Sequence, residues 1–233
     1  MTTIAPDVRV ADLVLEQPTR ARVFERFGID YCCGGRVPLE QACADRGVPL
    51  AAVLDALAEP LVPGPEDIDW ADLPLATLVE HVVTVHHGYL REELPPLSAL
   101  VEKVSGRHGD RHPELLEVRS TFEALADELA THMIKEEQIL FPACLALEQG
   151  AAGEFLFGSV GNPIAMMIHE HDVVAAGLAR MRELTDDFTP PADACTSYRA
   201  MLDRIEALDL DVRRHVHEEN NVLFPRALAL EAA

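Results

Sequence analysis

His132-Met133-Ile134-Lys135-Glu136-Glu137-Gln138-Ile139-Leu140-Phe141-Pro142 is answered 83 positions later by His215-Val216-His217-Glu218-Glu219-Asn220-Asn221-Val222-Leu223-Phe224-Pro225. The two stretches share His at the first position, Glu at the fifth and Leu-Phe-Pro at the end. The match runs on through Leu-Ala-Leu-Glu at 145–148 and 228–231. A self-match of this kind marks a duplicated structural unit. Around it, apolar residues recur at intervals of three and four over 75 to about 104, 114–148, 164–188 and 196–230, the period of a helix with one buried stripe. The separators GRHGDRHP, QGAAGEFLFGSVGNP and TPPADAC read as loops. Four long helical segments with short connections predict an antiparallel four-helix bundle, made of two related hairpins about a pseudo-twofold axis. Pro95-Pro96 is expected to kink or restart the first segment, and Pro142 and Pro225 to kink or end the second and fourth.

The rest of the chain differs in texture. Residues 1–58 alternate short amphipathic runs with Gly and Pro and show no sustained period-2 alternation, which predicts a compact domain of short helices. Within it, Tyr31-Cys32-Cys33-Gly34-Gly35 puts two adjacent thiols on a tight loop. Residues 59–72 hold Glu-Pro-Leu-Val-Pro-Gly-Pro and read as a stiff linker to a bundle over 73–233. The fold class is all-α.

Composition removes several kinds of function. Forty Asp and Glu against 19 Lys and Arg leave a formal charge of −21 in 233 residues, and Lys103 and Lys135 are the two lysines. Such a surface repels nucleic-acid backbones and anionic lipid. No apolar run approaches the roughly 20 residues a membrane helix needs, and the opening Met-Thr-Thr-Ile-Ala-Pro-Asp lacks the layout of a secretion signal, so a cytoplasmic protein is expected. Five Cys without spaced C-x-x-C pairs argue against a disulfide framework or a zinc ribbon.

The chemistry lies in the repeat. His132 with Glu136, and His215 with Glu219, are each four apart, so on a helix both side chains of a pair leave one face. One such pair by itself reads as an exposed contact worth a few tenths of a kcal/mol. Two equivalent pairs, each with a His about 45 residues upstream, read differently: His87 precedes His132 by 45 and His171 precedes His215 by 44. Spacing alone does not choose His87 over the adjacent His86, nor His171 over His169. Two carboxylates in a dry core need compensating charge, since an unpaired buried charge costs several kcal/mol, and a metal supplies it. Imidazole plus carboxylate without thiolate suits Fe, Mn or Zn, and two carboxylates able to bridge favour a dinuclear site with an open position for a small molecule.

Competing signatures are missing. No His follows a Glu at the Glu-x-x-His spacing of ferritin-like bundles, and H-E-x-x-H, G-x-G-x-x-G, a phosphate loop and G-x-S-x-G are absent. What remains resembles a hemerythrin-type di-iron domain. With Asp30-Tyr31-Cys32-Cys33-Gly34-Gly35 ahead of it, the chain is similar over nearly its whole length to the iron-sulfur cluster repair di-iron family. That resemblance selects His87 and His171, and implies His87, His132, Glu136, His171, His215 and Glu219 as ligands of two non-haem Fe ions with an oxo or hydroxo bridge. It implies repair of, or iron supply to, iron-sulfur clusters damaged by nitrosative or oxidative stress. Damaged iron-sulfur proteins, nitric oxide or dioxygen, and an electron donor would then be the partners. Two other functions fit the same residues: nitric oxide reduction at the di-iron centre, and sensing or carrying dioxygen or nitric oxide. Cys32 and Cys33 are candidates for a redox or metal-accepting thiol pair, open to a partner on their loop. Glu170 is a candidate proton shuttle, His81 a candidate for orienting a ligand or lining an access path. His217, about 200° round the helix from His215, should face solvent or a neighbour. His108 and His112 are expected in solvent, and Cys43, Cys144 and Cys195 as inert buried thiols.

Overall fold

The computed structural model describes residues 4–150 and 155–233; positions 151–154 of the loop between the second and third long segments lie outside the described residues. Among the described residues the structure is helical, with two isolated bridges, Arg9 to Pro38 and Phe155 to Gly158, in place of any strand. The chain divides into two compact units, residues 1–78 with 213–226, and residues 79–212 with 227–233.

In the first unit, α1 (Val10–Glu16), α2 (Ala21–Phe27), α3 (Leu39–Arg46) and α4 (Leu50–Ala58) are two or three turns long. Helices this short are marginal alone and form because their apolar faces are covered. Val10, Leu13, Phe24, Ile29, Leu39 and Val53 make that shared core, and each such side chain contributes about 1.5–3 kcal/mol by leaving water. The linker is packed rather than free. Asp67 pairs with Arg22 and accepts the Gly64 N–H at 2.7 Å, Trp70 is buried, and the Arg226 guanidinium donates to the Trp70 and Leu73 carbonyls at 2.9 and 2.7 Å.

The long segments appear as rods: α5 (Leu75–His81) into α6 (Gly88–His108), α7 (Glu114–Lys135) into α8 (Phe141–Glu148), α9 (Gly161–Leu184), and α10 (Thr196–Glu218) into α11 (Phe224–Glu231). In the second unit α7 lies against both α6 and α9, burying Leu115, Val118 and Phe122 against stripes that include Leu97, Val101, Val174 and Leu178. Ion pairs bind α10 to two neighbours: Arg204 Nε donates to Glu93 Oε1 of α6 at 2.6 Å, and Arg182 of α9 pairs with the buried carboxylate of Asp209.

Among the described residues three short stretches are wound as π-helix: Val82–His87, Glu136–Leu140 and Glu219–Leu223. The second and third run straight into Phe141-Pro142 and Phe224-Pro225, so each proline is the second residue of the following helix instead of its end. A wide turn gives the ring room and does not need the missing N–H. Helical winding also passes through Pro95-Pro96, inside α6, so of the kink or restart expected there the segment does not restart. No helix of the described residues is long and apolar enough to cross a membrane.

Candidate metal centre

The second unit gathers four of the expected ligands. His132 stands at the end of α7, Glu136 opens the π stretch that follows, His87 closes the π stretch before α6, and His171 lies in α9. All four are at most 2% exposed. The Glu136 carboxylate faces two ways: Oε2 is 3.2 Å from His87 Nε2, and Oε1 is 3.2 Å from His132 Nε2. His171 Nε2 is 3.0 Å from His132 Nε2, and the ligand atoms of His132, Glu136 and His171 all lie within 4.8 Å of one another. His86 is buried too, but it turns to Asp211; His169 is exposed, whereas His171 is buried.

The backs of two imidazoles are held by carboxylates. His87 Nδ1 is 2.6 Å from Glu137 Oε1, and His132 Nδ1 is 2.9 Å from Glu170 Oε2. Each carboxylate is in turn paired with a cation, Glu137 with Arg91 and Glu170 with Lys135 Nζ at 2.5 Å. Burial pushes against the charged form of both acids, yet hydrogen bonds from His87 and Arg91, and from Lys135 and His132, outweigh it and hold both carboxyls below the usual range. An ionised carboxylate only accepts, so Nδ1 of each ring carries the proton and Nε2 of the neutral ring offers a lone pair. Lone pairs of two rings and both oxygens of Glu136 then crowd together, and neither oxygen makes a hydrogen bond among the described residues. A buried carboxylate in that state is compensated by a cation. The donor set, imidazole nitrogen and carboxylate oxygen without thiolate, fits iron. Glu137 and Arg91 were not singled out in the sequence; a Glu next to a ligand Glu carries no signal of its own.

The second His-Glu pair sits in the first unit. His215 Nε2 is 3.2 Å from Glu219 Oε1, both side chains are at most 1% exposed, and Glu219 opens its own π stretch. His217 faces a neighbour rather than solvent. It is buried, its Nδ1 is 3.1 Å from the Tyr31 carbonyl and 3.0 Å from Asn221 Nδ2, and burial lowers its pKa.

The Cys-Cys-Gly-Gly loop is organised by Asp30. Its Oδ1 accepts the Cys32 N–H at 2.8 Å and the Cys32 thiol at 3.0 Å, and its Oδ2 accepts the Gly34 N–H at 2.9 Å. A Cβ on Gly35 would sit 2.3 Å from the Tyr31 carbonyl oxygen, which is why the second position is glycine. The Tyr31 hydroxyl donates to Glu25, and the Arg214 guanidinium grips the same carboxylate at 2.9 and 3.0 Å. Exposure of the thiols differs from expectation. Cys33 is half-buried and Cys32 is buried, its carbonyl accepting from Asn221 Nδ2 at 3.4 Å. A hydrogen bond with Cys33, then burial, then the Asp30 charge push the Cys32 thiol well up. Elsewhere, His108 is packed in the second unit with Nε2 3.2 Å from an exposed Cys195 thiol, and His112 lies between Glu114 and Asp193 at 3.1 Å each, so neither is simply solvated and Cys195 is not buried.

A helical bundle with a buried imidazole and carboxylate cluster defines a metal-binding protein of the hemerythrin type, and residues 78–227 match the hemerythrin HHE cation binding domain. Residues 6–60 match a domain of unknown function, DUF542. The chain is 38% identical over 225 residues to the iron-sulfur cluster repair protein YtfE of Enterobacter sp. (strain 638), covering 97% of this chain and 98% of that protein. It is 38% identical over 226 residues to the protein of the same name from Musicola paradisiaca (strain Ech703), covering 96% and 97%. To the probable iron-sulfur cluster repair protein of Haemophilus influenzae it is 36% identical over 222 residues, covering 94% and 96%. The chain belongs to the iron-sulfur cluster repair protein family.

Proposed function

We propose that this chain repairs, or supplies iron to, iron-sulfur clusters damaged by nitrosative or oxidative stress, and that His87, His132, Glu136, His171, His215 and Glu219 hold two iron ions. The observation that carries the reading is Glu136, wholly buried, without a hydrogen bond, one oxygen toward each of two imidazoles. A carboxylate placed so suits two cations better than one. His215 and Glu219 complete the set because they repeat the first pair in sequence, in burial and in their 3.2 Å spacing. Bound iron supplies one-electron chemistry and an ion that can be passed on. Glu137 and Glu170 keep the protons of His87 and His132 on Nδ1, away from the metal side. Glu170, expected as a proton shuttle, is in this reading a positioning residue for His132, with Lys135 fixing its other oxygen.

Cys33 is the thiol a partner reaches, and Cys32 is its hydrogen-bonded neighbour, held protonated. The short-helix domain spans 1–58, the linker 59–72 and the bundle 73–233. Damaged iron-sulfur proteins of the cytoplasm are the partners, with nitric oxide or dioxygen as small ligands and an electron donor. The name borne by the relatives supports the repair reading. Iron analysis with Mössbauer spectroscopy tests the centre, with two coupled irons per chain expected. Restoration of a nitrosylated iron-sulfur enzyme under reducing conditions tests the task. Nitrous oxide at catalytic turnover without such restoration would replace repair by nitric oxide reduction.

A further inference from the structure

Among the histidines of the second unit outside that ligand set, two lie close together: His81, the last residue of α5, and His86, inside the first π stretch. On an ordinary α-helix five residues turn about 500°, which leaves two such side chains about 140° apart. Between these two, however, the chain is wound as π-helix over Val82–His87, where hydrogen bonds reach the fifth residue and positions five apart stack on one face. The imidazoles accordingly meet. Their ring centres are 5.4 Å apart at an interplanar angle of 80°, and a nitrogen of each lies within 4.8 Å of the other.

His86 is buried, and its Nδ1 is 2.9 Å from Asp211 Oδ1 on α10. The aspartate accepts the Nδ1 proton and leaves the lone pair on Nε2. This is the construction that Glu137 gives His87 and Glu170 gives His132: a carboxylate behind the ring, a donor nitrogen in front. His81 is half-buried, so the pair is open to solvent on its side. We propose that His81 and His86 supply the imidazoles of a second metal site for a divalent transition ion such as Fe(II), Co(II) or Zn(II), with Asp211 orienting His86. Imidazole nitrogen selects this class over Mg(II) and Ca(II), which prefer oxygen. The site does not depend on the repair reading. An ion there would rest on the residue next to His87.

Equilibrium dialysis of the iron-loaded, full-length protein against Co(II) under anaerobic conditions tests the site. The expected result is about one additional Co(II) per chain. It should be lost in His81→Gln and His86→Gln, weakened about 10- to 100-fold in Asp211→Asn, and unaffected by excess Mg(II). Uptake by His81→Gln equal to that of the parent, unchanged affinity in Asp211→Asn, or displacement by Mg(II) would each overturn it. If the buried His86 variant loses its helical circular dichroism, the half-exposed His81 variant decides alone. A chain that binds no iron yet loses its Co(II) on His81→Gln would refute the di-iron centre and leave this site standing.

Discussion

The two copies of the repeat keep the same buried His-Glu pair and differ in what surrounds it. At the offset of 83, His132 matches His215 and Glu136 matches Glu219, while Ile134, Lys135, Glu137 and Gln138 become His217, Glu218, Asn220 and Asn221. In the first copy the changed positions serve the buried imidazoles: Glu137 holds His87, and Lys135 braces the Glu170 that holds His132. In the second copy they serve the thiol loop: His217 sits 3.1 Å from the Tyr31 carbonyl, and Asn221 donates to the Cys32 carbonyl at 3.4 Å. Duplication followed by divergence has thus kept the donor atoms and given the intervening helix faces to separate tasks.

The largest effect should come from removing what the copies share. Glu136→Ala and Glu219→Ala should each abolish stoichiometric iron, read by metal analysis of purified protein; retention of two irons by either would break the equivalence of the copies. Next come the positions that differ. Glu137→Gln and Glu170→Gln should weaken iron binding about 10- to 100-fold, since the rings keep their ligands but lose orientation. In the second copy, Asn221→Ala should leave iron affinity unchanged in a chelator competition. His217→Phe should cost about 1–3 kcal/mol in a denaturant titration, because it leaves the Tyr31 carbonyl without its donor, while iron content holds. The smallest effect is kinetic. Iodoacetamide should alkylate Cys33 before Cys32, and the Cys32 rate should keep rising with pH beyond the usual thiol range, because its pKa is raised and the thiolate is the nucleophile. Mass spectrometry of peptides quenched at intervals separates the two.

Much of this was readable from the sequence, for a definite reason. The rods and their buried stripes follow from apolar period, and the ligand pairs stood out because they occur twice with the same flanks. What could not be read depends on winding or on distant contacts. A π turn leaves no trace in a period of three and four, so His81 and His86 did not read as neighbours, and Pro142 and Pro225 looked like endings when each sits in the second position of a continuing helix. Cys32 looked open because its loop is rich in glycine, yet it is buried, and Asn221, 189 residues away, donates to its carbonyl. Glu170 gave no hint of its partners, because His132 and Lys135 lie on another helix.

The three wide turns also bear on how such a protein tolerates change in length. Each turn holds one residue more than regular winding requires, so a one-codon deletion within 136–140 would let the rod close up into ordinary α-helix. Phe141–Glu148 would keep its facing, while the side chains within the turn would be re-aimed against Glu136. Mutational drift in this family is therefore expected to spare the spacing of these segments even where it rewrites their letters.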